Sequence, residues 1–393
     1  MEAEELRDLM NRVAEGSYAS DGMTLRERFN RTLHYKEPDK LPFFEFGYWA
    51  ETLPQWHTEG LPKEIDNEAK AYAYFGIEDM CHVPFWWGLH PVPPGETIEE
   101  TDEYIIRRAG DGVVSQERKE GHRSIPHFID FPIKKREDWK WFKERLSNTD
   151  EPARYEHNGK TPQRTVEELN KSPFPVAISI GSLLGVPRSW MGFENFAIAT
   201  IAEPEFVTEM MEDIANAVIG VMKRAFSYGI KVDAGAGWED ICYNSGPICS
   251  PQLFYEKAVP IYRRITDLLK ANGCDIAYTD CDGNINALVK GWLDAGVNTM
   301  FPVEVHGGTD PVALRKKFGK DLRFMGGVDK MMLQKTKKDI KKELERLAPV
   351  VEEGGFIPHV DHRVQPSVPY RNYLYYLDLK RKMWNAGKRE PMY

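Results

Sequence analysis

CDIAYTDCDGNINALVKGWLDAGVNTMFP, residues Cys274–Pro302, holds a complete structural step of the chain. The run Cys274–Thr279 alternates β-formers and predicts a strand, Asp282-Gly283-Asn284 is a turn, Ile285–Ala295 has helical spacing, and Val297–Pro302 is the next short apolar run. Strand, turn, helix and strand in that order is the crossover that parallel pairing requires.

The same step recurs on both sides. Upstream lie LPFFEF (Leu41–Phe46), a weaker run near Ile77–Pro84, PVAISI (Pro175–Ile180) and IKVDAG (Ile230–Gly235); downstream lie LRFMGG (Leu322–Gly327) and GFIPHV (Gly355–Val360). Amphipathic stretches separate them, chiefly Glu203–Ser227, Pro251–Ala271 and Lys337–Glu352. Eight strands each followed by a helix predict an α/β fold of the (β/α)8 TIM-barrel type over residues 1–393, with a doubly wound open sheet as the alternative on pattern alone. Residues 1–40 read as an N-terminal helical extension. Residues 96–133 break the rhythm with strand alternation around Ala109-Gly110-Asp111-Gly112, and predict a β-hairpin inserted after the second strand.

Composition bounds the function. The 393 residues are 41% hydrophobic and 29% charged, the balance of a globular chain with a large core, and the formal net charge of -9 argues against nucleic acid or an anionic membrane as partner. The basic runs Arg315–Lys320 and Lys335–Lys342 read as solvated helix faces. The opening MEAEELRDLMNRVAEG has no apolar signal core, and no apolar run reaches the roughly 20 residues of a membrane span. Five scattered cysteines without a C-x-x-C spacing read as free thiols, which places the chain in a reducing cytoplasm.

In a barrel of this type the chemistry sits where strands end. Those ends carry Glu45, His82, Ser179, Trp238-Glu239-Asp240, Asp280-Cys281-Asp282, Glu304-Val305-His306, Asp329 and His359-Val360-Asp361-His362. Asp280 and Asp282, two residues apart on an extended end, can face one side and share a cation or a proton. The other reading of Asp282-Gly283-Asn284 is a turn capping the next helix. Glu239, Asp240, Asp280, His359 and His362 are the candidate acid/base residues, and one of the adjacent Glu239 and Asp240 is expected to be structural. Consecutive aromatics, Phe43 to Trp49 and Phe85 to Trp87, cannot all face one core. Phe44, Glu45, Tyr48, Trp49, Trp86, Trp87, Trp238 and Tyr243 are therefore the expected walls of a site for a flat ligand.

Ser250-Pro251, Asp282-Gly283-Asn284, Gly326-Gly327-Val328-Asp329 and His362-Arg363-Val364-Gln365-Pro366-Ser367-Val368-Pro369 give the chain its family likeness. Over nearly its whole length it resembles the uroporphyrinogen decarboxylase-like superfamily, which holds porphyrin-pathway decarboxylases and corrinoid-dependent methyltransferases. The decarboxylases carry two arginines in a stretch matched by Pro42–Pro54; here those positions are Gly47 and Glu51, the wrong electrostatics for a polycarboxylate. In the zinc-dependent methyltransferases the matching ligand positions are Asp280, Asp282 and His362, where no thiolate remains; zinc on these harder ligands is one expectation and metal-free acid/base work the other. The chain looks most like the members that load a methyl group from an ether or amine onto cob(I)alamin. The resemblance thus implies O-demethylation of a methoxylated, aromatic small substrate, with cobalamin carried by a partner corrinoid protein. A decarboxylase of a non-porphyrin acid and a non-catalytic binding barrel are the alternatives. A homodimer is one reading of an oligomeric state that the sequence leaves open.

Overall fold

The computed structural model describes residues 22–119 and 125–385. Of the helical extension expected over residues 1–40, residues 1–21 lie outside the described residues, and Leu25–Leu33 forms a helix. The chain divides into two compact units. A middle unit comprises Cys81–Ser172 and Val176–Asn298, and a terminal unit comprises Met1–Met80, Pro173–Pro175 and Thr299–Tyr393. Both are α/β, with parallel strands joined through helices, as the sequence predicts.

In the middle unit β1 (Cys81–His82), β6 (Val176–Gly181), β7 (Ala234–Trp238) and β10 (Ala277–Asp280) pair side by side in that order, all parallel. Parallel strands need long returns, and the longest is the helix Pro204–Ser227. Proline at its first turn suits the missing donor there, and Val207, Met210, Met211, Ile214, Val218 and Val221 form the buried stripe that packs it. β7 starts four residues later than the run Ile230–Gly235 predicts. Asp233 meets the start of β6 just before it: its carboxylate accepts from Val176 N at 2.8 Å and its own N–H donates to Val176 O at 2.7 Å.

The insertion is larger than the expected hairpin. β2 (Glu96–Glu100), β3 (Tyr104–Arg108), β4 (Val114–Arg118) and β5 (His127–Asp130) make a four-stranded antiparallel sheet. The turn between β3 and β4 is at the predicted place, with Ala109 N donating to Val113 O and Gly112 at φ +95°. β8 (Cys242–Tyr243) and β9 (Gly246–Pro247) form a short second hairpin.

In the terminal unit β11 (Thr299–Phe301), β12 (Arg323–Val328) and β13 (Phe356–Val360) are parallel neighbours. The helix Lys337–Glu352 between β12 and β13 matches its predicted bounds, because Thr336 and Asp339 close a capping box at its start. The strand expected at Leu41–Phe46 does not form; Tyr48 makes one isolated parallel bridge to Val364. Side chains have taken the backbone groups a strand would use: Phe43 N donates to Glu78, and Lys380 Nζ donates to Phe44 O. Among the described residues no helix is long and apolar enough to cross a membrane.

Candidate active site

A cavity of about 710 Å³ opens in the middle unit at the C-terminal ends of β1, β6 and β7, the end where barrels of this kind carry their chemistry. Its walls include Trp86, Trp87, Trp190 and Trp238. The loop after β1 contributes Trp86 and Trp87, whose rings stack at 6.5 Å with 20° between planes. Val186, Ser189 and Trp190 line it from one face of the helix Gly185–Met191, as three- and four-residue spacing requires. The turn between β3 and β4 closes one side with Ala109, Gly110 and Asp111, so the insertion helps to build the site.

The aromatic loop is held by a residue that no sequence pattern picks out. Arg154 is buried, and its guanidinium donates to the carbonyl oxygens of Trp86, Gly88, Arg145 and Asn148. Burial lowers its pKa below the ordinary arginine value. Gly88 completes the fit, because a Cβ there would stand 2.6 Å from the Trp86 ring.

Polar groups on the walls are mostly committed to the protein. Trp86 Nε1–H donates to Leu89 O at 2.9 Å, Trp190 Nε1–H to Asp111 Oδ2 at 3.1 Å, and Trp87 Nε1–H to Ser179 Oγ at 2.8 Å. Ser189 Oγ–H donates to Gly185 O at 2.9 Å. No Lys, Arg or His is among the described residues that line the cavity, and Asp111 is its one charged side chain.

Three residues selected from sequence, Trp86, Trp87 and Trp238, meet in this cavity. Glu239, the next residue along, faces the other way and is a correction to its candidate acid/base role. It is fully buried, and its carboxylate accepts from Ser182 Oγ, from the backbone N–H groups of Leu183, Leu184 and Gly185, and from Tyr262 OH. Burial raises its pKa, and the bonds from Tyr262 and the three amides oppose that rise. Glu239 is thus the anchor of the loop that leads into the cavity-lining helix. Asp240 adopts a left-handed backbone at φ +47°, and its carbonyl accepts from Arg188 Nη1 at 2.9 Å. Tyr243 is half exposed on the β8–β9 hairpin, edge-on to Phe193 at 5.4 Å, and does not line the cavity.

Asp280 ends β10 directly beside Trp238, its partner in strand register, and its carbonyl accepts from Glu239 N at 2.7 Å. Asp282 precedes Gly283, whose φ of +76° and close approach to Cys242 O and Tyr243 make the turn. Asn284 does not cap a helix as the turn reading had it: it accepts from Asn286, and the next helix begins at Val289.

The remaining expected residues belong to the terminal unit, and most are packing. Glu45 forms a buried ion pair with Lys380 at 2.7 Å and also accepts from Tyr376 OH and Val360 N. Phe44 is buried, and Tyr48 is enclosed by Trp56, Tyr72, Phe75 and Tyr373, so neither is available as a substrate wall. Trp49 is half-buried and meets the His362 ring at 6.3 Å; Phe46 meets it at 5.7 Å. His359 is buried, its Nδ1 against Val360 O at 2.8 Å, and burial with Lys380 nearby lowers its pKa to about 3, which removes it as a proton carrier near neutrality. Asp361, between the two histidines, accepts from Val305 N and Lys330 N, and burial raises its pKa to about 7. Asp280 and Asp282 lie in the middle unit and His362 in the terminal unit. Among the described residues no three His, Cys, Asp or Glu side chains form a group that could hold a metal ion.

The uroporphyrinogen decarboxylase (URO-D) family model matches residues 116–383. A solved methyltransferase from Methanosarcina mazei is similar in fold, with a TM-score of 0.57 over 92% of this chain and 99% of that one, at 16% identity. No curated protein matches the chain.

Proposed function

Because the chain belongs to the uroporphyrinogen decarboxylase (URO-D) family, we propose that it is a methyl-transferring member of that family. It takes a methyl group from a small methoxylated arene held in the tryptophan-lined cavity and passes it to cob(I)alamin carried by a partner corrinoid protein.

The observation that carries this reading is the cavity wall: four indoles and no cationic side chain among the described lining residues. A porphyrinogen with its many carboxylates needs guanidinium or ammonium partners, and a flat, weakly polar ring needs aromatic faces. Gly47 and Glu51, at the positions of the decarboxylases' arginines, point the same way. The methyltransferase of the same fold adds support for the reaction class.

Breaking the methyl–oxygen bond leaves an aryloxide, a poor leaving group unless it is protonated as it departs. Cob(I)alamin, when docked, supplies the nucleophile for the methyl carbon. The protein's part is to stack the ring between indoles, to exclude water and to deliver the proton. Asp280 lies beside the cavity-lining Trp238 in strand register without itself lining the cavity, and its protonated carboxyl is the proposed source of that proton, passed through one water.

The test mixes the purified chain with a reduced corrinoid protein and 2-methoxyphenol, and follows loss of the cob(I)alamin absorbance with release of catechol. Transfer that requires both chain and corrinoid is the expected result. Asp280→Asn should lower kcat by about 10²-fold or more with little change in KM. No corrinoid-dependent turnover across a panel of aryl methyl ethers, or carbon dioxide release from an acid without corrinoid, overturns the reading.

A further inference from the structure

Ser179 sits on β6 at the cavity wall, half-buried, and its hydrogen bonds are unevenly filled. A serine hydroxyl offers one proton and two lone pairs. Trp87 Nε1–H donates to Ser179 Oγ at 2.8 Å and Gly181 N–H donates to it at 3.2 Å, so both lone pairs are in use. The hydroxyl can therefore only donate, and no acceptor among the described residues receives that proton. The two bonds it accepts also fix where the oxygen lies, with Trp87 and Gly181 on two sides and the cavity on another. Asp111 is the charged group of the same wall. Its carboxylate holds Trp190 Nε1–H and Val113 N–H, and its charge is uncompensated by any cation among the described lining residues.

We infer that Ser179 is the specificity-determining donor of the cavity, which selects uncharged arenes with an acceptor oxygen and, through Asp111, turns away arenes that carry a carboxylate. A ligand oxygen at Ser179 satisfies a half-buried donor; a methylene in its place leaves that donor unpaired. An anionic ring substituent meets the Asp111 charge in a cavity with no positive group to offset it. The inference rests on the cavity being the ring site of the proposed reaction, and it narrows the methyl donors to neutral methoxyarenes.

Direct binding tests it without corrinoid or turnover. Tryptophan fluorescence of the full chain is titrated with methoxybenzene, with the shape-matched ethylbenzene and with 4-methoxybenzoate. Wild-type protein should favour methoxybenzene over ethylbenzene by about three- to tenfold. Ser179→Ala should bind the two equally, while Ser179→Thr, which keeps the hydroxyl, should retain the preference. 4-Methoxybenzoate should bind on the order of tenfold more weakly than methoxybenzene, and Asp111→Asn should close that gap. Thermal melts of each variant separate a lost hydrogen bond from a lost fold, with Ser179→Thr as the folded control. An ether preference that survives in Ser179→Ala, or that is missing in wild type, overturns the inference, as does a failure of all three probes to change the fluorescence. Methyl transfer without a Ser179-dependent preference sinks this inference alone. A Ser179-dependent preference without methyl transfer sinks only the reaction.

Discussion

At the scale of single residues, the same chemical type does opposite work a few positions apart. Trp238 faces the cavity, and Glu239 faces away into five donors. A carboxylate with that many donors is a structural anion, and what it secures is the loop Ser182–Leu184 ahead of the helix Gly185–Met191. Gly185 shows how tight the join is, since a Cβ there would lie 2.3 Å from Glu239 O. Glu239→Gln would turn an amide group toward backbone N–H donors and should cost about 2–4 kcal/mol in stability, seen as a lower urea midpoint. Because the loop positions Val186 and Trp190, ring binding should weaken as well. The pH profile of kcat should not move, and a profile that did lose a limb in this variant would restore Glu239 to the acid/base role.

At the scale of elements, the site is made by one loop, one helix face and one inserted turn, and the loop is the least self-sufficient of them. Trp86 is 54% exposed, so burial does not hold it. Arg154 does, by tying the carbonyls of Trp86 and Gly88 to those of Arg145 and Asn148. Arg154→Lys keeps the charge but loses the fork that reaches four acceptors, and should destabilise the middle unit by about 3 kcal/mol while weakening ring binding. Hydrogen exchange at residues 86–89 should rise above that of the β6 amides; unchanged protection of this loop would show that Arg154 does not restrain it. This division also explains what the sequence made legible. Periodicity located β6, β10, β11, β12 and β13 and the long helices to within a few residues, because their burial repeats locally. Trp86, Trp87 and Trp238 stood out as unusual residues at strand ends. Arg154 could not be read, since its partners are backbone carbonyls, which leave no mark on side-chain pattern. Leu41–Phe46 misled for the converse reason: its apolar alternation is real, but Glu45 and the Phe44 carbonyl meet Lys380, far along the chain.

At the scale of the whole molecule, two buried groups of the terminal unit, Asp361 and His359, contribute to the response to pH with opposite signs. Asp361 holds its proton up to about pH 7 in the folded chain, whereas an unfolded aspartate loses it near 3.9. Between those values the folded state binds more protons, so the Asp361 contribution to stability falls as pH rises from about 4 and levels off above about 7. His359 has the reverse sign. Its folded pKa is about 3 against roughly 6.5 unfolded, so the unfolded state binds more protons in that window. Its contribution is present above about pH 6.5 and is lost as pH falls toward about 3. From about pH 4 to 6.5 both act, each with a limiting slope of about 1.4 kcal/mol per pH unit, and they cancel. The charged neighbours do not change this balance of signs: Lys380 adds to the His359 shift, and Lys330 lessens the Asp361 shift without reversing it. His359→Phe should therefore leave a protein that becomes less stable as pH rises from 4.5 to 6.5, and Asp361→Asn one that becomes more stable over the same range. Urea midpoints at pH 4.5, 5.5 and 6.5 for the wild type and both variants measure the slopes. Two variants with the same sign of slope would show that these groups do not control the acid behaviour of the fold, and that the carboxylates and imidazoles outside this pair do.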